Sequence, residues 1–507
     1  MTVTDITLTR ARRHLVLGIC STGLLVVGLD ATIVNIALPS IHRALGSSLA
    51  GLQWTVDAYT LVLASLLILA GSTADRIGRK RVFQTGLLVF SLGSLLCALA
   101  PTPGALIAAR VLQALGGSML SPVAMSIIRT VFVDPAERAR AIGIYAAMFG
   151  LSIALGPVLG GTLVAAVGWR AVFLVNLPVG AVAILATHRF VPESRAEHPR
   201  RVDPVGQVLV IVGLASLTYG IIEGPDHGWG SIDIVASLAL AALALAVLIP
   251  YELRRREPLL ELRWFRSAPF SGASAIALCA FAALGAFLFL NTLYLQDVRG
   301  LSPLRAGLCM LPMAVMVLVF APVSGRLVGS RGPRPPLLGA GVGLVVAVAM
   351  LTQLRADSSI GYVLLAYTVF GIGFGLVNPP ITNTAVSGMP AAQAGVAAAV
   401  ASTSRQVGLT MGVALVGAIA GGSAALNGGT AAGFTAATRP AWWLILGAVA
   451  AVLVLAVVST TRWAEGTARR TADAHARRSA AATAQTLNDL ESLAVCPAGS
   501  VAETMNV

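Results

Sequence analysis

Apolar runs of about 20 residues recur from residue 15 to residue 461, and that length crosses the hydrocarbon core of a bilayer when wound as a helix. The runs are continuous and do not alternate in ten-residue segments, so they predict helices and exclude an outer-membrane barrel. Fourteen spans are expected, with boundaries good to a few residues. Six lie at 15–38, 52–71, 82–100, 104–129, 139–165 and 169–188. Two follow at 205–223 and 232–250, and six more at 270–293, 304–326, 335–354, 360–384, 394–420 and 441–461. Only 11% of the residues are charged, against about one quarter in a soluble protein. A water-soluble enzyme is thereby excluded, and the fold class predicted is an all-α polytopic membrane protein.

The net charge of +13 does not point to nucleic acid, because the cations are not gathered on one face. They sit between apolar runs. Of the 35 cationic side chains, 27 lie in one set of alternate loops and the two tails; only Arg43, Arg170, Arg299, Arg305, Arg355 and Arg439 lie in the other. Arg110 and Arg405 fall inside spans. The positive-inside rule then predicts a plasma-membrane protein with both termini in the cytoplasm, and an even number of spans requires the same. The five cysteines form no CxxC pair, so a metal or disulfide framework is not expected. No cofactor motif is found. No Walker A string occurs either, so the chain carries no ATP-driven motor of its own.

The organisation reads as six, two and six. A cytoplasmic tail covers 1–14, a first six-helix half 15–190, a linker with two extra helices 191–266, a second half 267–462, and a cytoplasmic tail 463–507. Transporters are commonly built from paired repeats with the substrate site between them.

Four strings carry chemistry. Gly71-Ser-Thr-Ala-Asp75-Arg76-Ile-Gly78-Arg79-Lys80-Arg81 fills the short loop between spans two and three. Gly78 permits a tight turn, Asp75 suits the N–H groups of a helix start, and the cations suit helix ends and headgroups. The plainer reading is a positive-inside loop. Leu29-Asp30-Ala-Thr32-Ile-Val-Asn35 places a carboxylate inside span one, where it costs about 2.5–3.5 kcal/mol on insertion scales. Arg110-Val-Leu-Gln113 places a guanidinium and an amide on nearly one face of span four. Gly150-Leu-Ser-Ile-Ala-Leu-Gly156-Pro157-Val-Leu-Gly160-Gly161 gives span five a bend and a small-xxx-small pair, which packing alone also accounts for.

The loop string resembles the signature loop of the major facilitator superfamily. Together with Trp169-Arg170, Asn176-Leu-Pro178 and Ser404-Arg405-Gln406-Val-Gly408, the four strings resemble its fourteen-span drug:proton antiporter branch over residues 15 to 460. That resemblance implies a major-facilitator fold, alternating access, a monomer, and proton-driven export of a small-molecule drug or antibiotic. A transporter of another metabolite on the same fold, or a membrane-bound sensor, stays open. In the second half the counterpart loop, Gly325-Arg326 through Gly332-Pro-Arg334, lacks the Asp.

At about 1.5 Å per residue, Asp30 lies roughly 13 Å, Asp57 roughly 8 Å and Arg110 roughly 9 Å below the outer surface. Buried charges seek partners, so Asp30, Asp57 and Arg110 are expected to form one proton-coupling cluster. Asp57 has a second reading, an interfacial cap beside Trp54 and Tyr59, whose rings suit the interface. Arg405 has no acid in a neighbouring span of its half. It is expected to bond Asn378, Gln406 or carbonyls near Pro379 and Pro380, for function or as structural glue. Asn35, Gln113, Asn291, Asn378, Arg405 and Gln406 are the cavity candidates.

Overall fold

The computed structural model describes residues 9–196, 203–255, 259, 261–387, 389, 394–421 and 431–477. Among them the chain is helical throughout and contains no strand. The first six long helices are α1 (Arg10–Leu45), α2 (Leu49–Ile77), α3 (Arg79–Leu99), α4 (Pro103–Val131), α5 (Pro135–Ala166) and α6 (Ala171–Phe190). Two follow, α7 (Pro204–His227) and α8 (Ile232–Arg254). The last six are α9 (Ala268–Leu293), α10 (Pro303–Arg331), α11 (Arg334–Thr352), α12 (Ile360–Val386), α13 (Ala394–Gly421) and α14 (Ala431–Ser459).

Thirteen of these helices are long and apolar enough to cross a membrane. The one outside that set is α13, whose middle carries Ser402-Thr403-Ser404-Arg405-Gln406 and dilutes its apolar average. The expected count of fourteen spans is therefore not established by length and composition.

Several helices begin earlier than the apolar runs because polar residues cap them. The Thr9 hydroxyl accepts from the Arg12 N–H, so Arg10 to Arg13 form the first turn of α1. The Asp134 carboxylate accepts from the Glu137 N–H at 2.8 Å, which starts α5 at Pro135 and not at 139. At the far end α1 runs on past Pro39 to Leu45, where the left-handed Gly46 closes it.

Neighbouring helices pack in two groups. In the first, α1 packs on α4 and α5, and α4 on α2 and α3; in the second, α9 packs on α13 and α14, and α12 on α10 and α11. The groups meet where α5 packs on α10 and α2 on α13. The pair α7 and α8 is attached from outside, with α7 against α2 and α13. Large apolar side chains stay exposed around the bundle, such as Leu185 at 71% and Leu243 at 59%. A belt of that kind suits lipid tails, not water.

Among the described residues, three hydrogen-bonded points join the two groups. The Gln53 amide donates to the Val413 and Ala414 carbonyls, the Thr60 and Thr410 hydroxyls pair at 2.7 Å, and the Gln296 amide donates to the Ile36 carbonyl at 2.9 Å. All three lie toward the end of the bundle opposite the arginine-rich loops.

Candidate functional site

Span one delivers Asp30 to a wholly buried position, with 0% exposure. Span four delivers Arg110, which is 1% exposed, and the two side chains form an ion pair. The sequence spacing put them at one depth, and the structure brings them together. Each is saturated. Besides Arg110, the Asp30 carboxylate accepts from the Gln113 amide at 2.7 Å and from the Asn176 amide at 3.0 Å. Gln113 also accepts from Arg110 at 2.6 Å and donates to the Ser94 hydroxyl at 2.8 Å. The Arg110 Nε donates to the Thr55 carbonyl at 3.0 Å, and the guanidinium lies over the Tyr59 ring at 4.1 Å. Five helices, α1, α2, α3, α4 and α6, thus meet in one polar knot inside an apolar half. A buried charge pair is tolerated only when its remaining donors and acceptors are satisfied in this way.

Asp57 does not join this knot. It is equally buried, yet neither carboxylate oxygen has a hydrogen-bond partner among the described residues. Arg110 reaches only the backbone of Thr55, two residues earlier, and two residues turn a helix through about 200°. Asp57 instead shares the face of Gln53 and Thr60, which packs on α13. The interfacial reading fails as well, because Tyr59 is fully buried.

In the loop between α2 and α3, Gly78 takes φ 129°, a backbone state that favours glycine. Asp75 does not cap a helix start. Its carboxylate accepts from the Arg79 guanidinium at 2.8 and 2.9 Å, while Arg79 also donates to the Thr130 hydroxyl at 2.6 Å. The segment after α6 straps this turn down. The Arg79 N–H donates to the Ser194 carbonyl at 2.9 Å, and the Ala196 N–H to the Asp75 carbonyl at 3.1 Å. Glu193 accepts from the Lys80 N–H at 3.1 Å and lies 3.7 Å from Arg81. A side chain at Gly78 would meet the Glu193 carboxylate at 2.7 Å. Arg76 is partnered within the structure, and Gly71 meets Pro122 only at ordinary contact distance.

The glycines of α5 divide by role. A Cβ at Gly156 would strike Thr32, and one at Gly160 would lie 2.8 Å from Ile33, so both let α1 approach. A Cβ at Gly161 would lie 2.5 Å from the Pro303 carbonyl of α10, and one at Gly307 of α10 would strike the Pro157 carbonyl. Gly150 meets nothing within 4 Å and is not part of the packing.

In the second half, Asn291 is engaged, accepting from the Tyr367 hydroxyl at 2.7 Å. Arg405 misses its expected partners. It donates to the Thr382 hydroxyl at 2.7 Å and the Ser402 hydroxyl at 3.2 Å, one turn beyond Asn378. Asn35, Asn378 and Gln406 each keep a buried amide oxygen with no partner among the described residues.

The family model of the Major Facilitator Superfamily matches residues 20–413. The chain belongs to that superfamily. It is 39% identical over 397 residues to the multidrug resistance protein Stp of Mycobacterium tuberculosis, covering 78% of this chain and 74% of that protein. It is 40% identical over 402 residues, with the same coverage, to the tetracenomycin C resistance and export protein of Streptomyces glaucescens. The methylenomycin A resistance protein of Streptomyces coelicolor is 36% identical, over 82% of this chain and 87% of that one. Among solved structures, a bacterial homologue of the lysosomal transporter Spinster superposes with a TM-score of 0.63 at 18% identity, over 91% of this chain and 99% of that one. This last likeness is one of fold.

Within this major-facilitator chain, sequence reasoning missed Ser94, Asn176 and Glu193 as members of the two polar centres. Asn176 carried a signal, since it stands in the Asn176-Leu-Pro178 string. Ser94 and Glu193 carried none, for nothing local marks a partner a long way off along the chain.

Proposed function

We propose that this chain exports a small hydrophobic or cationic drug or antibiotic across the plasma membrane in exchange for protons, working as a monomer with both termini in the cytoplasm. The observation that carries the proton part is the Asp30–Arg110 pair, withdrawn from water and saturated by Gln113 and Asn176. In general a guanidinium partner favours the charged form of a carboxyl group, and dry surroundings without one favour the neutral acid. A rocking of α1 against α4 that alters this pairing therefore loads and releases a proton. Asp57 assists from the contact between α2 and α13, where a rearrangement of the halves reaches it first.

The export part is supported by the relatives, three of which carry resistance in their names. The halves are 15–190 and 267–462, and residues 191–266 are an insertion whose helices α7 and α8 pack outside them. The fourteenth span is α13. The buried, unpartnered oxygens of Asn35, Asn378 and Gln406 are the groups assigned to cargo in this reading. The hydrogen bonds that join the halves among the described residues lie away from the arginine-rich end. Asp75, Arg79 and the Glu193 strap hold the cytoplasmic side in one of the two access states.

The test is a resistance panel in a pump-deficient host, followed by transport in inverted vesicles. Accumulation inside inverted vesicles that collapses with the pH gradient supports the reading. Movement in the other direction, or no dependence on the gradient, overturns it.

A further inference from the structure

Residues 462–477 continue beyond α14 as a helix that folds back on the start of α9. The Ala268 N–H donates to the Thr467 hydroxyl at 2.9 Å and fixes that docking. Between this helix and the 3-10 turn Leu262–Arg266 lies an open pocket of about 500 Å³. Arg263, Trp264, Arg266, Trp463, Arg470 and His475 line it. The Trp264 ring is buried and lies against His475 at a tilt of 33°, with centroids 5.1 Å apart, which makes an aromatic wall.

The charge in this pocket is unbalanced. Arg263 donates to the Leu253 carbonyl at 2.8 Å and lies 3.7 Å from Glu261. Among the described residues, no carboxylate forms an ion pair with Arg266 or Arg470, and both side chains are exposed. The height of the pocket is also set. It follows the last residue of α14 and precedes the first of α9, which is the border between a hydrocarbon core and its headgroups. Phe265, 42% exposed, and Trp463, 61% exposed, lie beside it, where aromatic side chains anchor a membrane protein at the interface. Guanidinium groups over an aromatic wall at headgroup level suit a phosphate that carries acyl chains.

We propose that this pocket binds the phosphate of an anionic phospholipid headgroup and ties the C-terminal helix to the start of the second half. Arg266 and Arg470 hold the phosphate, and Trp463 packs on the glycerol and upper acyl region. Each cation near an anionic surface contributes about fivefold in affinity, so removing both costs roughly thirtyfold.

The full-length chain, purified in detergent, is titrated with phosphatidylglycerol or phosphatidylcholine and read by native mass spectrometry. The expected result is retained phosphatidylglycerol on the wild type. On the double variant Arg266→Gln/Arg470→Gln its affinity falls roughly thirtyfold, while phosphatidylcholine binding is the same on both. Trp463→Ala also weakens phosphatidylglycerol binding. Substrate transport in phosphatidylcholine vesicles serves as the folding control and is expected to match between wild type and double variant. Unchanged phosphatidylglycerol affinity in the double variant overturns the proposal. Displacement of the lipid by millimolar inorganic phosphate also overturns it, because the site is then one for the free anion.

Discussion

Asp30→Asn is the sharpest test of the polar knot. The substitution keeps the shape of the side chain and removes its charge. Three donors converge on the carboxylate, from Arg110, Gln113 and Asn176. An amide oxygen accepts from two of them, and its NH₂ then faces the third. Arg110 is left buried without its counter-charge, a loss of about 3–5 kcal/mol when one partner of such a pair is removed. The fold should survive with a lower melting temperature, since the Thr55 carbonyl and the Tyr59 ring still hold the guanidinium. The functional loss is larger. One proton moving down one pH unit supplies about 1.4 kcal/mol, enough for about tenfold accumulation of cargo. The variant lacks the acid proposed to carry that proton. In proteoliposomes with an imposed gradient of about one pH unit, the wild type should concentrate the drug about tenfold and Asp30→Asn not at all. Drug binding and drug-for-drug counterflow should persist. Normal uphill export by Asp30→Asn refutes the argument and passes the role to Asp57.

Asp57→Asn removes an acid that has no hydrogen-bond donor among the described residues, so a thermal shift assay should show unchanged or higher stability, and export should fall less than in Asp30→Asn. Asp75→Asn and Glu193→Gln each loosen the strapped turn, and both should slow the transport cycle with drug affinity preserved within about threefold; a double-mutant cycle should return a coupling of about 0.5 kcal/mol or more. Gly161→Val drives a side chain into the Pro303 carbonyl and should cost about 1–3 kcal/mol in stability as well as turnover, whereas Gly150→Ala should be silent in both readouts.

Apolar length and arginine asymmetry are properties of the chain itself, so the helices were legible before any coordinates. The Asp30–Arg110 pair was legible too, because two charges at one depth in one half have few other choices. Asp57 shows where that reasoning stops. Depth counts residues along an axis and is blind to rotation about it, so an acid at the right height turned toward α13 instead of α4. Arg405 shows a smaller error of the same origin. Its partner, Thr382, is on the same face as Asn378 but one turn, about 5.4 Å, along. Glu193 was invisible for another reason. Its bonds to Lys80 and Arg81 bridge more than a hundred residues, and no periodic pattern records such a contact.

The glycine contact between α5 and α10 has a mechanical consequence. Helices usually interlock by ridges of side chains set into grooves, and that fit resists rotation like meshed teeth. Here Gly161 faces the Pro303 carbonyl and Gly307 the Pro157 carbonyl, so the helices touch backbone to backbone. A contact without teeth is a bearing. Such a contact leaves few rotamers to reset, so a rearrangement of the two groups of helices would use it as a common axle. A bearing is intolerant of grit, and on this one a single added methyl group is a particle large enough to jam it.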